Sequence, residues 1–452
     1  MATTYLGRTQ GTATLRTKCT LSVWIKRSKL SGGSYQFFVS SYISGSDRMG
    51  FYFNTDDTLS VYSPNWNLHT NRQFRDVNGW YHIVYRIDTT HGNTSDRVRL
   101  YVNGVQETSF GTANYPSQNY NLEFGTSSHN MYIGNYDNNQ YYFDGIMSHL
   151  HFLDGEDRDA SYFGETDTTT GEWKIKTDVT GVNYGNQGFF LFKDNNSTSD
   201  QSGNSNNFTV YTGASGSLTK TEDCPDNVFA TLNTLNSYWA GGTFSNGNTK
   251  IQPSSSAHGA WNTGTLGMTS GKYYWEVKVS GSNNGAECQV GIADKSPNGN
   301  TQSSTAGTSF GYNSNGEYGI YAWNGAFIGN AVVNPYTSYG SSCSNGIIMI
   351  AIDLDNNKFY GGLNGTWFDS GNPANGTNGK TIQAVASTQD KCYYPAISTY
   401  QGYTGTAEFN FGNGYFGTTA VSSAGTNASG IGIFEYDVPS GYTALSTKGL
   451  NE

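Results

Sequence analysis

The stretch Lys272-Tyr273-Tyr274-Trp275-Glu276-Val277-Lys278-Val279 decides the fold. Tyr273, Trp275, Val277 and Val279 alternate with Lys272, Tyr274, Glu276 and Lys278, which is the period of a β-strand with one face turned inward. The same alternation sets Leu21, Val23 and Ile25 against Ser22, Trp24 and Lys26, and puts Tyr81, Ile83, Tyr85 and Ile87 on one strand face. Val98, Leu100 and Val102 alternate likewise and run into Asn103-Gly104, a dipeptide suited to a type I′ hairpin because both positions need positive φ. The apolar run Ile347-Ile348-Met349-Ile350-Ala351-Ile352 has the length of a strand covered on both faces, and Asn364-Gly365 marks another hairpin. No stretch carries a sustained helical period. The expected fold is all-β, with two antiparallel jelly-roll β-sandwiches joined by a Gly/Asn/Ser-rich connector.

Composition agrees. A chain of 452 residues suits two cores better than one. It holds 57 Gly against 9 Pro, with 33 Tyr and 24 Phe, and only 13% of its residues are charged, a turn-and-strand profile. The expected boundaries are residues 1–165 for the first sandwich, 166–235 for the connector, 236–415 for the second sandwich and 416–452 for a C-terminal extension. The formal charge of −10, with no Lys/Arg cluster, disfavours nucleic acid as a partner. The longest apolar run is too short to span a bilayer, and Met1-Ala2-Thr3-Thr4 does not open a signal peptide, so no membrane insertion is expected and synthesis in a cytoplasm is. Five widely spaced cysteines without a C-x-x-C pair make zinc and a disulfide scaffold poor expectations.

Leu21-Ser22-Val23-Trp24-Ile25-Lys26-Arg27-Ser28, Gly79-Trp80-Tyr81-His82-Ile83-Val84, Leu100-Tyr101-Val102-Asn103-Gly104 and Tyr132-Ile133-Gly134-Asn135 resemble pieces of concanavalin A-like LamG sandwiches, over roughly residues 5–163. Tyr273-Tyr274-Trp275-Glu276-Val277, Val290-Gly291-Ile292-Ala293, Phe310-Gly311-Tyr312 and Phe409-Asn410-Phe411-Gly412 resemble a SPRY domain, over about residues 236–415. The segments 223–233 and 439–445 resemble connecting segments of structural proteins from marine bacteriophages and some large viruses that pair these two domains. The resemblance implies ligand binding or particle architecture instead of catalysis, an implication by analogy.

Candidate chemistry is sparse. Glu165-Thr166-Asp167 has the spacing of a glycosidase carboxylate pair, yet Thr168, Thr169 and Thr170 follow where a third acid would stand, and the surroundings read as a loop. Gly307-Thr308-Ser309-Phe310-Gly311 satisfies G-x-S-x-G without the strand-to-helix flanks a nucleophile elbow needs. His149-Leu150-His151 would put two imidazoles on one side of a strand with no third metal ligand, and solvent-facing histidines are expected. No catalytic or metal residue is assigned. No cofactor is expected either, although the acidic run Asp154-Gly155-Glu156-Asp157-Arg158-Asp159 leaves a calcium-dependent lectin site open.

Aromatic residues beside Asn and Gly in loops are the strongest binding signal: Tyr62 with Trp66, Trp239, Trp261, Tyr321 with Trp323, and Trp367. Of these, Trp66, Tyr321, Trp323 and Trp367 are the candidate ligand-binding residues, whereas Trp24, Trp80 and Trp275 read as core. The expected function is a non-enzymatic virion surface protein, on capsid or tail, that binds host-surface carbohydrate or envelope material. The rivals are a structural decoration or cement protein and, third, a polysaccharide hydrolase. Other virion proteins are the expected partners, with self-association into a homo-oligomer.

Overall fold

The computed structural model describes residues 4–137, 140–176, 179–193, 197–212, 218–237, 242–252, 261–281, 288–295, 316–329, 338–399 and 405–451. The chain is all-β and divides into two compact units, residues 1–220 and 221–452.

Among the described residues the first unit stacks an eight-stranded sheet on a six-stranded one. The six-stranded sheet is centred on Lys18–Arg27 and Trp80–Asp88, paired antiparallel from Lys18↔Asp88 to Lys26↔Trp80. Leu21, Val23, Ile25, Ile83, Tyr85 and Ile87 meet Phe38, Met49, Phe51, Phe53, Leu59 and Val61 of the other sheet in one apolar core. Each such fully buried large side chain stabilises the fold by roughly 1.5–3 kcal/mol. Asn103 (φ 47°) and Gly104 (φ 78°) turn Val98–Val102 back into Val105–Glu107, as the dipeptide predicts.

Ser22 and Lys26, on the polar side of the alternation, are buried, and so is Trp24, which reads as core from the sequence. The reason is a third layer: residues 160–176 and 179–191 cover the outer face of the six-stranded sheet, where Val84, Leu153, Ala160, Phe163, Tyr184 and Phe190 form their own cluster. Phe189–Leu191 adds a strand beside Gly145–Asp154, and Thr209–Thr212 pairs with Thr4–Thr9 at the other sheet's edge. Much of the expected connector thus packs within the first unit.

The second unit repeats this plan. Among the described residues a six-stranded sheet faces a nine-stranded one, and Tyr273, Trp275, Val277 and Val279 enter the core between them. The opposite face of Lys272–Ser280 is also buried, with Tyr274 and Glu276 both 0% exposed. Residues 431–445 lie over it, so that Tyr274, Met349, Ala351 and Tyr360 pack against Phe434, Val438, Tyr442 and Ala444. The two-sided burial read from Ile347–Asp353 has this origin: Ile348, Ile350 and Ile352 face one core while Met349 and Ala351 face the other. No helix among the described residues is long and apolar enough to cross a membrane.

Candidate functional site

The outer face of the first unit's eight-stranded sheet is built from tyrosine, glycine, serine and asparagine, and the segment after Ile133 buries part of it: Ser40 is fully buried, donating its Oγ to the Asn135 and Tyr136 carbonyls, and Phe37, Tyr132 and Tyr136 are buried beside it. Strand alternation builds the face. Leu6, Met49, Phe51, Leu59, Val61, Met131 and Ile133 point into the core, which turns Tyr5, Gly7, Arg48, Gly50, Tyr52, Ser60, Tyr62 and Tyr132 the other way. Cross-strand register lines them up in a continuous row, Gly7↔Tyr132↔Ser40↔Gly50↔Tyr62↔Asn67↔Asn114.

The small residues let the rings lie flat. A Cβ at Gly50 would come within 2.5 Å of the Phe37 ring, and one at Gly7 within 3.0 Å of Tyr211 and 3.1 Å of Tyr132. Tyr5 stacks on Tyr211 at 5.0 Å between centroids and meets Tyr132 edge-on at 5.8 Å. From the following loop Tyr136 packs on Phe37 at 4.6 Å and on Tyr42 at 5.3 Å, while Tyr35 and Tyr141 meet edge-on at 5.3 Å. Tyr211 is 45% exposed, and Tyr35 and Tyr141 are each 37% exposed. Burial and adjacent phenols hold the Tyr5, Tyr132 and Tyr136 hydroxyls above the ordinary tyrosine range, so they remain protonated at neutral pH. Arg48 sits among these rings, its guanidinium carbon 5.4 Å from the centroid of Tyr62 and 5.7 Å from that of Tyr136. Flat apolar rings rimmed by hydroxyls are the surface a sugar ring can stack on and bond to.

The four aromatic residues expected to bind ligand are not brought together. Trp66 is 2% exposed and belongs to the first unit's core. Trp367 is half-buried beneath the C-terminal segment, 6.3 Å from Tyr274. Tyr321 is buried and packs under Trp323, which is 46% exposed in the turn between Glu317–Tyr321 and Ala326–Gly329. Trp239, the side chain of Trp261 and the run 307–311 lie outside the described residues. Of the loop aromatics quoted from the sequence, Tyr62 is the one on the tyrosine face. The rest of that face was missed because its tyrosines lie in strands, where the signal is Tyr, Gly and Ser at positions alternating with the core.

Catalytic arrangements fare poorly on the same geometry. Glu165 lies in the short strand Gly164–Thr166, a correction to the loop expected there, and Asp167 closes the hairpin by accepting the Thr169 and Thr170 backbone N–H groups. Both carboxylates flank Lys174, at 3.7 and 3.2 Å, and Asp167 is held down to about 2 mainly by those backbone donors. Asp167 is thus the opposite of a carboxyl held protonated at neutral pH, which a general acid requires. Ser22 Oγ lies 2.9 Å from His82 Nε2, but His82 Nδ1 accepts from Trp173 Nε1 at 2.9 Å. That makes Nε2 the protonated nitrogen, a donor to Ser22 and no base for it. His151 is a further correction: it is buried, stacked on Phe190 at 3.9 Å and bonded to Tyr184, instead of facing solvent.

The acidic run offers no open calcium cage. Asp154 accepts the backbone N–H groups of Thr14, Leu15 and Gln187, Asp157 pairs with Arg86, Glu156 with Arg158, and Asp159 caps a 3₁₀ turn. No cluster of three or more metal-ligating side chains occurs among the described residues.

Comparison with known proteins bears on both units. The family model of the concanavalin A-like lectin/glucanases superfamily matches residues 3–161, and that of the SPRY domain matches residues 272–414. No curated protein matches the chain. Among solved structures, the chain is similar to the SPRY domain of human HERC1, at 16% identity over 39% of this chain and 96% of that one, with a TM-score of 0.29. It is also similar to a putative carbohydrate binding protein from Bacteroides ovatus, at 16% identity over 47% of this chain and 58% of that one, with a TM-score of 0.27. The protein therefore joins a concanavalin A-like, LamG-type domain to a SPRY domain, two folds that fit a binding role.

Proposed function

We propose that this protein is a non-enzymatic glycan-binding component of a virus particle, displayed on capsid or tail, whose first domain contacts host-surface carbohydrate through its tyrosine face. The observation that carries the reading is the tyrosine cluster organised by the row Gly7, Tyr132, Ser40, Gly50, Tyr62, Asn67 and Asn114, whose accessible rings are the exposed Tyr35, Tyr141 and Tyr211 and the half-buried Tyr42 and Tyr62. Tyrosines stacked across glycines give broad, rigid contact area at little entropic cost, and their hydroxyls, with the Asn67 and Asn114 amides at the accessible end of the row, supply hydrogen bonds. Trp323 supplies a second contact, on the SPRY domain, with Tyr321 as its support. The virion placement rests on the resemblance of the connecting segments to viral structural proteins. Weak single-site binding suits display in many copies, where linked sites raise avidity by about 10²–10⁴.

The test presents the purified full chain to an array of neutral and acidic oligosaccharides, with and without a calcium chelator. Saturable binding that is indifferent to chelator and lost in Tyr42→Ala/Tyr132→Ala is expected. An antibody to the chain should label purified particles in the electron microscope. Labelled particles without binding to any glycan would favour the lattice-decoration role, and absence from particles would overturn the virion placement.

A further inference from the structure

Arg48 stands out on the tyrosine face because its surroundings leave a positive charge without a carboxylate. The residue lies half-buried at the head of the strand Asp47–Phe53, directly opposite Tyr42. Its hydrogen bond among the described residues runs from Nη2 to the Tyr62 hydroxyl at 3.3 Å. Its Nε is buried with no hydrogen-bond partner. The groups that act on its charge are the phenols of Tyr62, Tyr136 and Tyr42. The adjacent Asp47 is engaged by His129 Nε2 at 3.2 Å. A guanidinium offers five N–H donors, and one desolvated among rings with donors to spare is built to meet an anion. Its half-buried neighbours Tyr42 and Tyr62 are stacking surfaces, so the anion is expected to come attached to a flat ring.

We infer that Arg48 receives the carboxylate of an acidic sugar residue whose ring stacks on Tyr42 and Tyr62, with the buried Tyr136 beneath. The inference rests on the glycan-binding reading above and narrows it to a ligand class. Asp137 sharpens it further. This residue adjoins Tyr132 and Tyr136, and its Oδ1 is buried without a partner. Its carboxylate, one of those that give the chain its net −10, opposes densely charged polyanions. The ligand that fits is an otherwise neutral glycan carrying an isolated carboxylated sugar. A charge-assisted hydrogen bond in a partly desolvated site adds roughly 1.5–3 kcal/mol. That corresponds to about a tenfold or greater preference over the neutral sugar.

The experiment measures binding of the full chain, by calorimetry or on an immobilised surface, to an oligosaccharide carrying one uronic acid, to its neutral carboxyl-reduced form and to a monosulfated form. Three proteins are compared: wild type, Arg48→Gln and Arg48→Lys. At least a tenfold preference for the uronate is expected, eroding with added salt, abolished in Arg48→Gln and partly kept in Arg48→Lys, with unfolding midpoints unchanged. If Arg48→Gln fails to fold, Tyr62→Phe, which removes the hydroxyl partner of Nη2, is expected to weaken the preference. Equal binding of uronate and neutral sugar, still lost in Tyr42→Ala/Tyr132→Ala, would overturn the role of Arg48 and leave the glycan-binding reading standing. Stronger binding of the sulfated form would overturn the carboxylate assignment. Binding of none would overturn both.

Discussion

The carboxylate of Glu276 and the backbone N–H of Tyr436, 160 residues apart in sequence, meet at 2.8 Å. Glu435 donates its backbone N–H to the other carboxylate oxygen at 2.9 Å, while the Tyr274 hydroxyl (2.9 Å) and Asn410 Nδ2 (3.2 Å) complete the set. One buried acid thus fastens the C-terminal segment to the outer face of the SPRY sheet.

Removing that acid should loosen the segment. Glu276→Ala leaves two backbone donors and a tyrosine hydroxyl unpaired beneath a covered face, at a cost of about 2–4 kcal/mol. Urea unfolding should show that loss, and amide hydrogen exchange at Glu435 and Tyr436 should quicken more than exchange in the core strand Ile347–Asp353. Unchanged exchange at both amides would mean that apolar packing by Phe434 and Tyr442 alone holds the segment.

The same residue predicts a pH dependence. Burial pushes the Glu276 carboxyl up to about 7 from an ordinary value of 4.5, against the pull of its four donors. Between those values the folded chain holds a proton that the unfolded chain has released. The contribution is therefore full below 4.5 and is lost as pH rises through 7, on the order of 3 kcal/mol at most. Glu276→Gln cannot titrate. Wild type should lose stability relative to Glu276→Gln between about pH 5 and pH 8, and parallel stability curves for the two proteins would refute the assignment.

Glu276 also marks where the sequence stops being legible. Alternation in Lys272–Ser280 correctly placed Trp275 and Val277 inward, but it assigned Tyr274 and Glu276 to solvent, because period two reports the difference between faces and not what covers the second one. The covering segments come from residues 160–176, 179–191 and 431–445, whose own patterns are too short and too Gly- and Asn-rich to show which strand they dock on. The turn at Asn103-Gly104 was readable because its chemistry is local. The tyrosine face was not, since it arises from the register of seven strands contributed by distant parts of the chain.

Trp173 should act as a clasp on the first unit's outer layer. Its indole N–H donates to His82 Nδ1, and its ring lies where a Cβ on Gly104 would come within 2.4 Å and one on Gly164 within 2.6 Å. Burial lowers the His82 imidazole to about 3, so it is neutral, with the proton on Nε2 facing Ser22. Trp173→Phe keeps a ring over the glycines and removes the donor, leaving a buried acceptor unpaired at about 1–3 kcal/mol. Nitrogen NMR of His82 should show a single Nε2–H tautomer in wild type and a mixture in the variant. A single tautomer in both, with equal stability, would show that Trp173 contributes shape alone.

Two tryptophans picked out together from the sequence should behave in opposite ways. Trp66 fills the first unit's core, so Trp66→Ala should cost about 3–5 kcal/mol through the cavity it opens. Its Nε1 is buried without a hydrogen-bond partner, so Trp66→Phe, which deletes that donor while keeping a ring, should cost less than half as much. Trp323 stands exposed on Tyr321, and Trp323→Ala should change stability by no more than about 0.5 kcal/mol. Loss of binding in Trp323→Ala at unchanged unfolding free energy would therefore assign that ring to a ligand. The same loss in Trp66→Ala would report a collapsed sheet, because the strand Trp66–Gln73 that carries the residue also holds Asn67, which lies beside Tyr62 in the tyrosine row.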